Sequence, residues 1–175
     1  MIQARTVATM IEVRVDDIAF FEGDAIVRPV NCMLQATTPV MRRLEQAAGP
    51  AFPGIVRMQQ PLPVGAAVVT GAGELPVELL VHGVVSSPEE RVTRATVRLA
   101  LMSALQRAVA FEIRTVAIAP FGLGAGNLDI DDSADVMVSV LSEHMRRSAF
   151  PTSVTIVVES ELEEHALRTR MRNQE

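Results

Sequence analysis

The stretch Thr115 to Leu128, TVAIAPFGLGAGNL, limits what this chain can fold into more than any other. Its first five residues, Thr115 to Ala119, are uncharged, apolar and partly β-branched. That is the pattern of a strand covered on both faces, as in a mostly parallel sheet. Pro120 has no N–H to donate and ends the ladder. Gly122, Gly124 and Gly126 then alternate with Leu123 and Ala125. Glycines so spaced let the backbone take positive φ and bring its N–H groups close to a ligand. Asp131, Asp132 and Ser133 open a run with helical apolar spacing at Val136, Met137, Val140 and Leu141. A strand, a glycine loop and a helix start form an anion cradle, most often for phosphate. A tight turn with no ligand has the same sequence.

Two phosphate loops are excluded. No Gly-Lys-Ser/Thr follows, and the spacing is not GxGxxG at the head of a dinucleotide fold. Asp129, Asp131 and Asp132 suit a helix cap and first turn, where they complement the dipole. Aimed at the loop instead, they would repel a phosphate.

Composition narrows the function. At 175 residues the expectation is a single domain spanning 1–175. The net charge of −5 argues against a generally basic nucleic-acid surface. All 16 basic residues are Arg, so lysine chemistry is excluded. Trp and Tyr are absent, which leaves the six Phe as the only bases for a stacking platform. Cys32 is the one cysteine, so neither a disulfide framework nor a cysteine zinc site is expected. The three scattered His offer no metal-ligand pair, and no metal or cofactor is implied. Nothing reads as a signal peptide or a membrane span, so a cytoplasmic protein is expected.

Along the chain, residues 1–10 are mildly apolar and read as an extra edge strand. Ile11, Val13 and Val15 alternate with Glu12 and Arg14 as a half-buried strand. Ala25 to Val27 begins a second strand, with Pro29 at its end or at a bulge. Thr38 and Pro39 suit the cap and first position of a helix carrying Val40, Met41 and Leu44. Strands follow at 66–70 and 79–85. A long helix over 91–111 is expected to turn Val92, Ala95, Leu99, Met102 and Val109 to one side. A last strand runs over 153–158 and a final helix begins near Glu161. Strands alternating with helices predict a three-layer α/β/α sandwich around a mixed sheet.

These motifs resemble, in order and spacing, those of macro domains, the ADP-ribose-binding modules. The family runs Gly-Asp-Ile, a short gap, Asp-Ala-Ile-Val-Asn-Ala-Ala-Asn, a glycine loop and a helix. This chain has Asp16-Asp17-Ile18, then Asp24-Ala25-Ile26-Val27-Arg28-Pro29-Val30-Asn31. Val64-Gly65 through Thr70 and Leu75-Pro76, Val81-His82, and Pro120 to Gly126 continue the likeness. It covers most of residues 11–158. The resemblance implies that Asp17 meets the adenine amino group with the Ile18 N–H nearby, and that Asn31 meets the distal ribose. It implies further that the loop Phe121, Gly122, Leu123, Gly124, Ala125 and Gly126 cradles the diphosphate.

The chain departs from that pattern at several points. Arg28 replaces the first family asparagine, and Ala36-Thr37-Thr38-Pro39 replaces the first glycine loop. Met41 stands where hydrolytic members carry an aspartate, and Glu159-Ser160 where an aromatic usually covers adenine. Arg28 and Arg42 are candidate phosphate ligands. Alternatively they fill the cleft by pairing with Asp17 or Asp24. Cys32 and His82 read as packing residues rather than a nucleophile and its base. The expected function is binding of ADP-ribose or a related adenine nucleotide without efficient hydrolysis. The alternative is a fold that has lost its site and serves as an assembly or interaction module, self-association included.

Overall fold

A computed structural model of the protein describes residues 10–174. The edge strand expected over residues 1–10 falls, apart from Met10, outside them. The strands are β1 (Ile11–Val15), β2 (Gly23–Asn31), β3 (Ala67–Gly71), β4 (Val77–Ser86), β5 (Thr115–Ile118) and β6 (Ser153–Val158). The helices are α1 (Pro39–Ala47), α2 (Phe52–Arg57), α3 (Arg94–Ala110), α4 (Ile130–Arg147) and α5 (Glu161–Arg172). The six strands lie in the order β1-β6-β5-β2-β4-β3. All neighbours are parallel except β3, which runs antiparallel to β4. This is the expected α/β sandwich with a mixed sheet.

Two apolar cores flank the sheet. Ala25 and Val27 of β2 face the core shared with α3, α4 and α5, while Ile26 and Val30 face the one shared with α1 and α2. Consecutive residues of one strand thus feed opposite layers, the period-two geometry of a sheet covered on both faces. Thr38 caps α1, its hydroxyl accepting from the Met41 N–H at 3.3 Å, with Pro39 at the first helical position. Asp129 caps α4 by accepting from the Asp132 N–H at 2.7 Å. β2 runs straight through Pro29, which pairs with Gly83; the irregularity comes one residue later, between Val30 and Asn31. Pro29 is tolerated because pairing with β5 has already ended at Val27.

The buried side of α3 is not the one expected. Val97, Ala100, Leu101, Ala104, Leu105 and Ala108 face the core, whereas Leu99, Met102 and Val109 are exposed. Apolar residues surround this helix, so periodicity could not select a face. Packing selects the alanine-rich one, because small side chains let the helix approach the sheet closely. At Gly83 of β4 an added Cβ would lie 2.9 Å from the Phe121 ring and 3.1 Å from the Ala100 carbonyl. Gly83→Ala is therefore expected to destabilise the fold by about 1–3 kcal/mol, the usual range for overpacking. Urea unfolding measures this, and a variant as stable as its parent would contradict the tight helix–sheet contact.

Candidate functional site

The connections leaving β2 and β5, adjacent in the sheet, run in opposite directions: β2 leads to β3 and β4, β5 to β6. Such a switch point opens a crevice at the carboxyl ends of the strands. A cavity of about 200 Å³ occupies that position. Its walls are apolar: Ile18, Val40, Met41, Ala119, Pro120, Leu123 and Val157. Thr38, Pro39 and Gly124 also line it, and Asp16, Glu159 and Glu163 supply the charge.

The two loops over this cleft are held in different ways. In the second loop, Gly122, Gly124 and Gly126 take φ of 91°, 135° and 76°. The Gly122 carbonyl accepts from the Leu128 N–H at 3.0 Å, and the Gly124 carbonyl from the Asn127 N–H at 3.1 Å. The first loop, Leu34 to Thr38, is held by side chains. Arg28 is 0% exposed and donates through Nε to His82 Nδ1 (2.9 Å), through one terminal nitrogen to Glu45 (2.7 Å) and through the other to the Leu34 carbonyl (3.0 Å). Glu45 also accepts from the Ala36 N–H at 3.0 Å. His82 Nδ1 accepts, so its proton sits on Nε2 and is donated to Thr70 Oγ1 at 2.7 Å; that hydroxyl donates to the Gly71 carbonyl at 2.9 Å. The Phe52 ring lies beneath, 5.3 Å from the guanidinium carbon and 6.2 Å from the imidazole centroid.

The residues expected at a site are thus scattered. Ile18, Leu123 and Gly124 line the cleft. Beside them Asp16 forms the wall, while Asp17 caps the turn Ile18–Phe20 by accepting from the Ala19 N–H at 3.0 Å. The Asn31 side chain holds the following loop, accepting from the N–H groups of Met33 and Gln35 at 3.0 Å each. Phe121 is buried, with its N–H directed at Met137 Sδ, 3.3 Å away. Ala125 and Gly126 are exposed at the loop tip. Arg28 pairs with Glu45, and neither Asp17 nor Asp24 is its partner; Asp24 accepts from the N–H groups of Arg114 and Thr115. Arg42 lines a separate, open groove of about 750 Å³ between α1 and α2, with Glu45, Phe52 and Arg57. Asp16 follows β1 and Glu163 lies in the first turn of α5, so the two meet at the cleft only through the strand order, which no local pattern in the sequence carries. Among the described residues no cluster of His, Cys, Asp and Glu could hold a metal ion, and no helix is long and apolar enough to cross a membrane.

Burial, with the Arg28 charge adding to it, pushes the His82 pKa well below its ordinary value. Burial also lowers that of Arg28, against the opposing pull of Glu45. A depressed histidine leaves the unfolded chain binding the extra proton, so stability falls as pH drops below about 6.5. As pH falls further this group's contribution approaches a slope of about 1.4 kcal/mol per pH unit, until the folded-state imidazole itself takes up the proton. His82→Gln should flatten that window in pH-dependent urea unfolding, and an unchanged slope would show that His82 is not the group involved.

The ion pair is asymmetric, since Glu45 keeps 29% of its side chain exposed and Arg28 none. Glu45→Ala, which strands a buried cation, should cost about 3–5 kcal/mol. Arg28→Met leaves an acid that water can reach and a histidine without its donor, and should cost about 1–3 kcal/mol. The reverse order in chemical denaturation would contradict this account of the network.

A sequence model of the family described as Macro domain matches residues 27–137. An O-acetyl-ADP-ribose deacetylase of Enterobacter sp. is 31% identical over 153 residues, covering 84% of this chain and 85% of that protein. An uncharacterized protein of Mycobacterium tuberculosis is 28% identical over 134 residues, 77% of this chain but 37% of that protein, so the chain spans little more than a third of its length. Among solved structures, the Trypanosoma brucei macrodomain in complex with ADP-ribose superposes with a TM-score of 0.84 at 15% identity, covering 95% of this chain and 71% of that one. The Oceanobacillus iheyensis macrodomain with ADP gives 0.82 at 18% identity, over 94% and 90%.

Proposed function

The chain belongs to the Macro domain family, and from that premise we propose that its cleft binds an adenine nucleotide of the ADP-ribose class without hydrolysing it efficiently. The observation that carries this reading is the position of the cleft. It lies at the carboxyl ends of β1, β6 and β5, beside the switch point, and is lined by Ile18 and by Leu123 and Gly124 of the glycine loop. The apolar walls suit a base and a ribose face. The loop N–H groups of Leu123 and Gly124 suit a phosphate oxygen.

Poor hydrolysis follows from what stands beside the cleft. One relative bears the name O-acetyl-ADP-ribose deacetylase, but Met41 lines the wall here. A thioether neither accepts a proton nor orients a water strongly. Of the carboxylates that line the cleft, Asp16 and Glu159 directly follow β1 and β6 and Glu163 lies in the first turn of α5; none comes from the helix that carries Met41. The loss of one positioned group commonly costs about 10²-fold or more in rate.

Calorimetry with ADP-ribose is the direct test, with heat and a thermal shift expected. Silence in both at millimolar ligand would end the binding reading. Incubation with an ADP-ribosylated protein is expected to give release near background. Robust turnover that vanishes in Asp129→Asn or Asp131→Asn would overturn the second half and locate a catalytic acid beyond the glycine loop.

A further inference from the structure

We infer that the outer face of α3 docks a protein partner, an amphipathic helix with an apolar stripe and acidic flanks. This face lies over β3 and β4, at the other edge of the sheet from β1. It shares no residue with the lining of the cleft.

The first observation is a surplus apolar face. A surface helix ordinarily carries one apolar stripe, turned to the core. α3 carries two. Its alanine-rich side meets the sheet. On the opposite side Ala95, Leu99, Met102, Gln106 and Val109 follow one another at spacings of four, three, four and three. Those alternating spacings keep side chains on one seam when a second helix lies alongside. Leu99 is 54% and Met102 42% exposed, and Val109 and Phe111 are exposed as well. The core of the folded chain does not account for this seam, and contiguous exposed apolar surface marks an interaction site.

The second observation is a seat beside the seam. A hollow of about 170 Å³ between α3 and α4 is lined by Met102, Leu105, Gln106 and Val140 among others. It has room for a single aliphatic side chain, the knob that a neighbouring helix inserts between ridges.

The third observation is charge. No acid occurs between Arg91 and Phe111, where four arginines do: Arg91, Arg94, Arg98 and Arg107. Asp132 and Asp135 of α4 engage Arg94. Arg98 and Arg107 stand on either side of the seam and reach only neutral acceptors. Arg98 donates to the Ser139 hydroxyl of α4 at 3.3 Å, and Arg107 to the Ala67 carbonyl of β3 at 3.2 Å. Of the acids nearby, Glu143 is paired with Arg147 at 3.2 Å, and Glu112 stands past the helix end. In a chain of net charge −5, the seam is bordered by positive charge that no carboxylate offsets among the described residues. Two copies of this face would set arginine against arginine in either orientation, which disfavours self-pairing. An anionic bilayer would attract the same arginines but repel a chain that is acidic overall, and it has no knob for the hollow. A helix whose carboxylates flank its apolar residues answers all three features.

The chain has neither Trp nor Tyr, so the fluorescence of a peptide with one Trp reports on that peptide alone. The probe is a synthetic helix of about 18 residues, roughly five turns. It carries Leu and the Trp along one seam and Glu on both flanks; its counterpart has Lys in place of Glu. Titration with the intact chain at 0.01 M salt should show the Glu peptide binding about tenfold or more tightly than the Lys peptide. Raising salt to 0.15 M shortens the screening length from about 30 Å to about 8 Å and should weaken the Glu peptide by about 3- to 10-fold.

Leu99→Gln with Met102→Gln should weaken it by about tenfold or more, as the loss of two central apolar contacts does. Arg98→Gln with Arg107→Gln keeps amide donors for the Ser139 hydroxyl and the Ala67 carbonyl, and should remove both the salt dependence and the preference for Glu over Lys. All four side chains are on the surface, and circular dichroism checks that each variant folds. Binding of neither peptide, equal affinity for the two, or binding that both double variants leave unchanged overturns the inference. So does sedimentation of the chain with phosphatidylserine vesicles that Leu99→Gln with Met102→Gln abolishes, which makes a membrane the occupant. A dimer in light scattering that the same variant dissolves makes a second copy the occupant and overturns it equally.

Discussion

A guanidinium cannot leave water without partners, and Arg28 sits wholly inside the protein. Everything around the first loop follows from that requirement. The three donor directions of Arg28 reach His82 on β4, Glu45 on α1 and the Leu34 carbonyl of the loop. His82 must be neutral to accept from Arg28, which assigns its other nitrogen to Thr70 on β3. One side chain on the central strand thereby ties together two further strands, a helix and the loop that borders the cleft. Phe52 covers the assembly from the α1–α2 layer.

That arrangement explains how a loop without glycines keeps one shape. Glycine loops near phosphates hold themselves by turns that only glycine adopts, as Gly122, Gly124 and Gly126 do in the second loop. The first loop instead has Thr37, Thr38 and Pro39, and its geometry is imposed from beneath by Arg28 and Glu45. The N–H group of Ala36, engaged in this way, faces the support rather than the cleft. The first loop is thus a braced wall, and the cleft beside it combines apolar sides and an acidic rim with the backbone of the glycine loop.

Much of this was legible in the sequence. The strand–glycine loop–helix unit at 115–141, the caps at Thr38 and Asp129, the sandwich class and the family likeness are all local patterns, written in residues a few positions apart. Each depends on short-range physics: fixed φ, a missing N–H, a hydroxyl three residues before a helical N–H. The buried face of α3 was not legible, because its residues are apolar all round and only Gly83 and the sheet decide which side can approach.

The site divides in the same way. Ile18, Leu123 and Gly124 belong to the motifs and line the cleft; Asp17, Asn31 and Phe121 belong to the motifs too, but their polar atoms or rings serve the turn, the following loop and the core. The sequence by itself determined the class of fold and the loop on which a ligand could sit. Tertiary structure alone decided that Arg28 would answer to Glu45, seventeen residues away, and that Asp16 and Glu163 would share one cavity. Charge partners are chosen by distance in space, and that distance is set by strand order and helix packing rather than by neighbours along the chain.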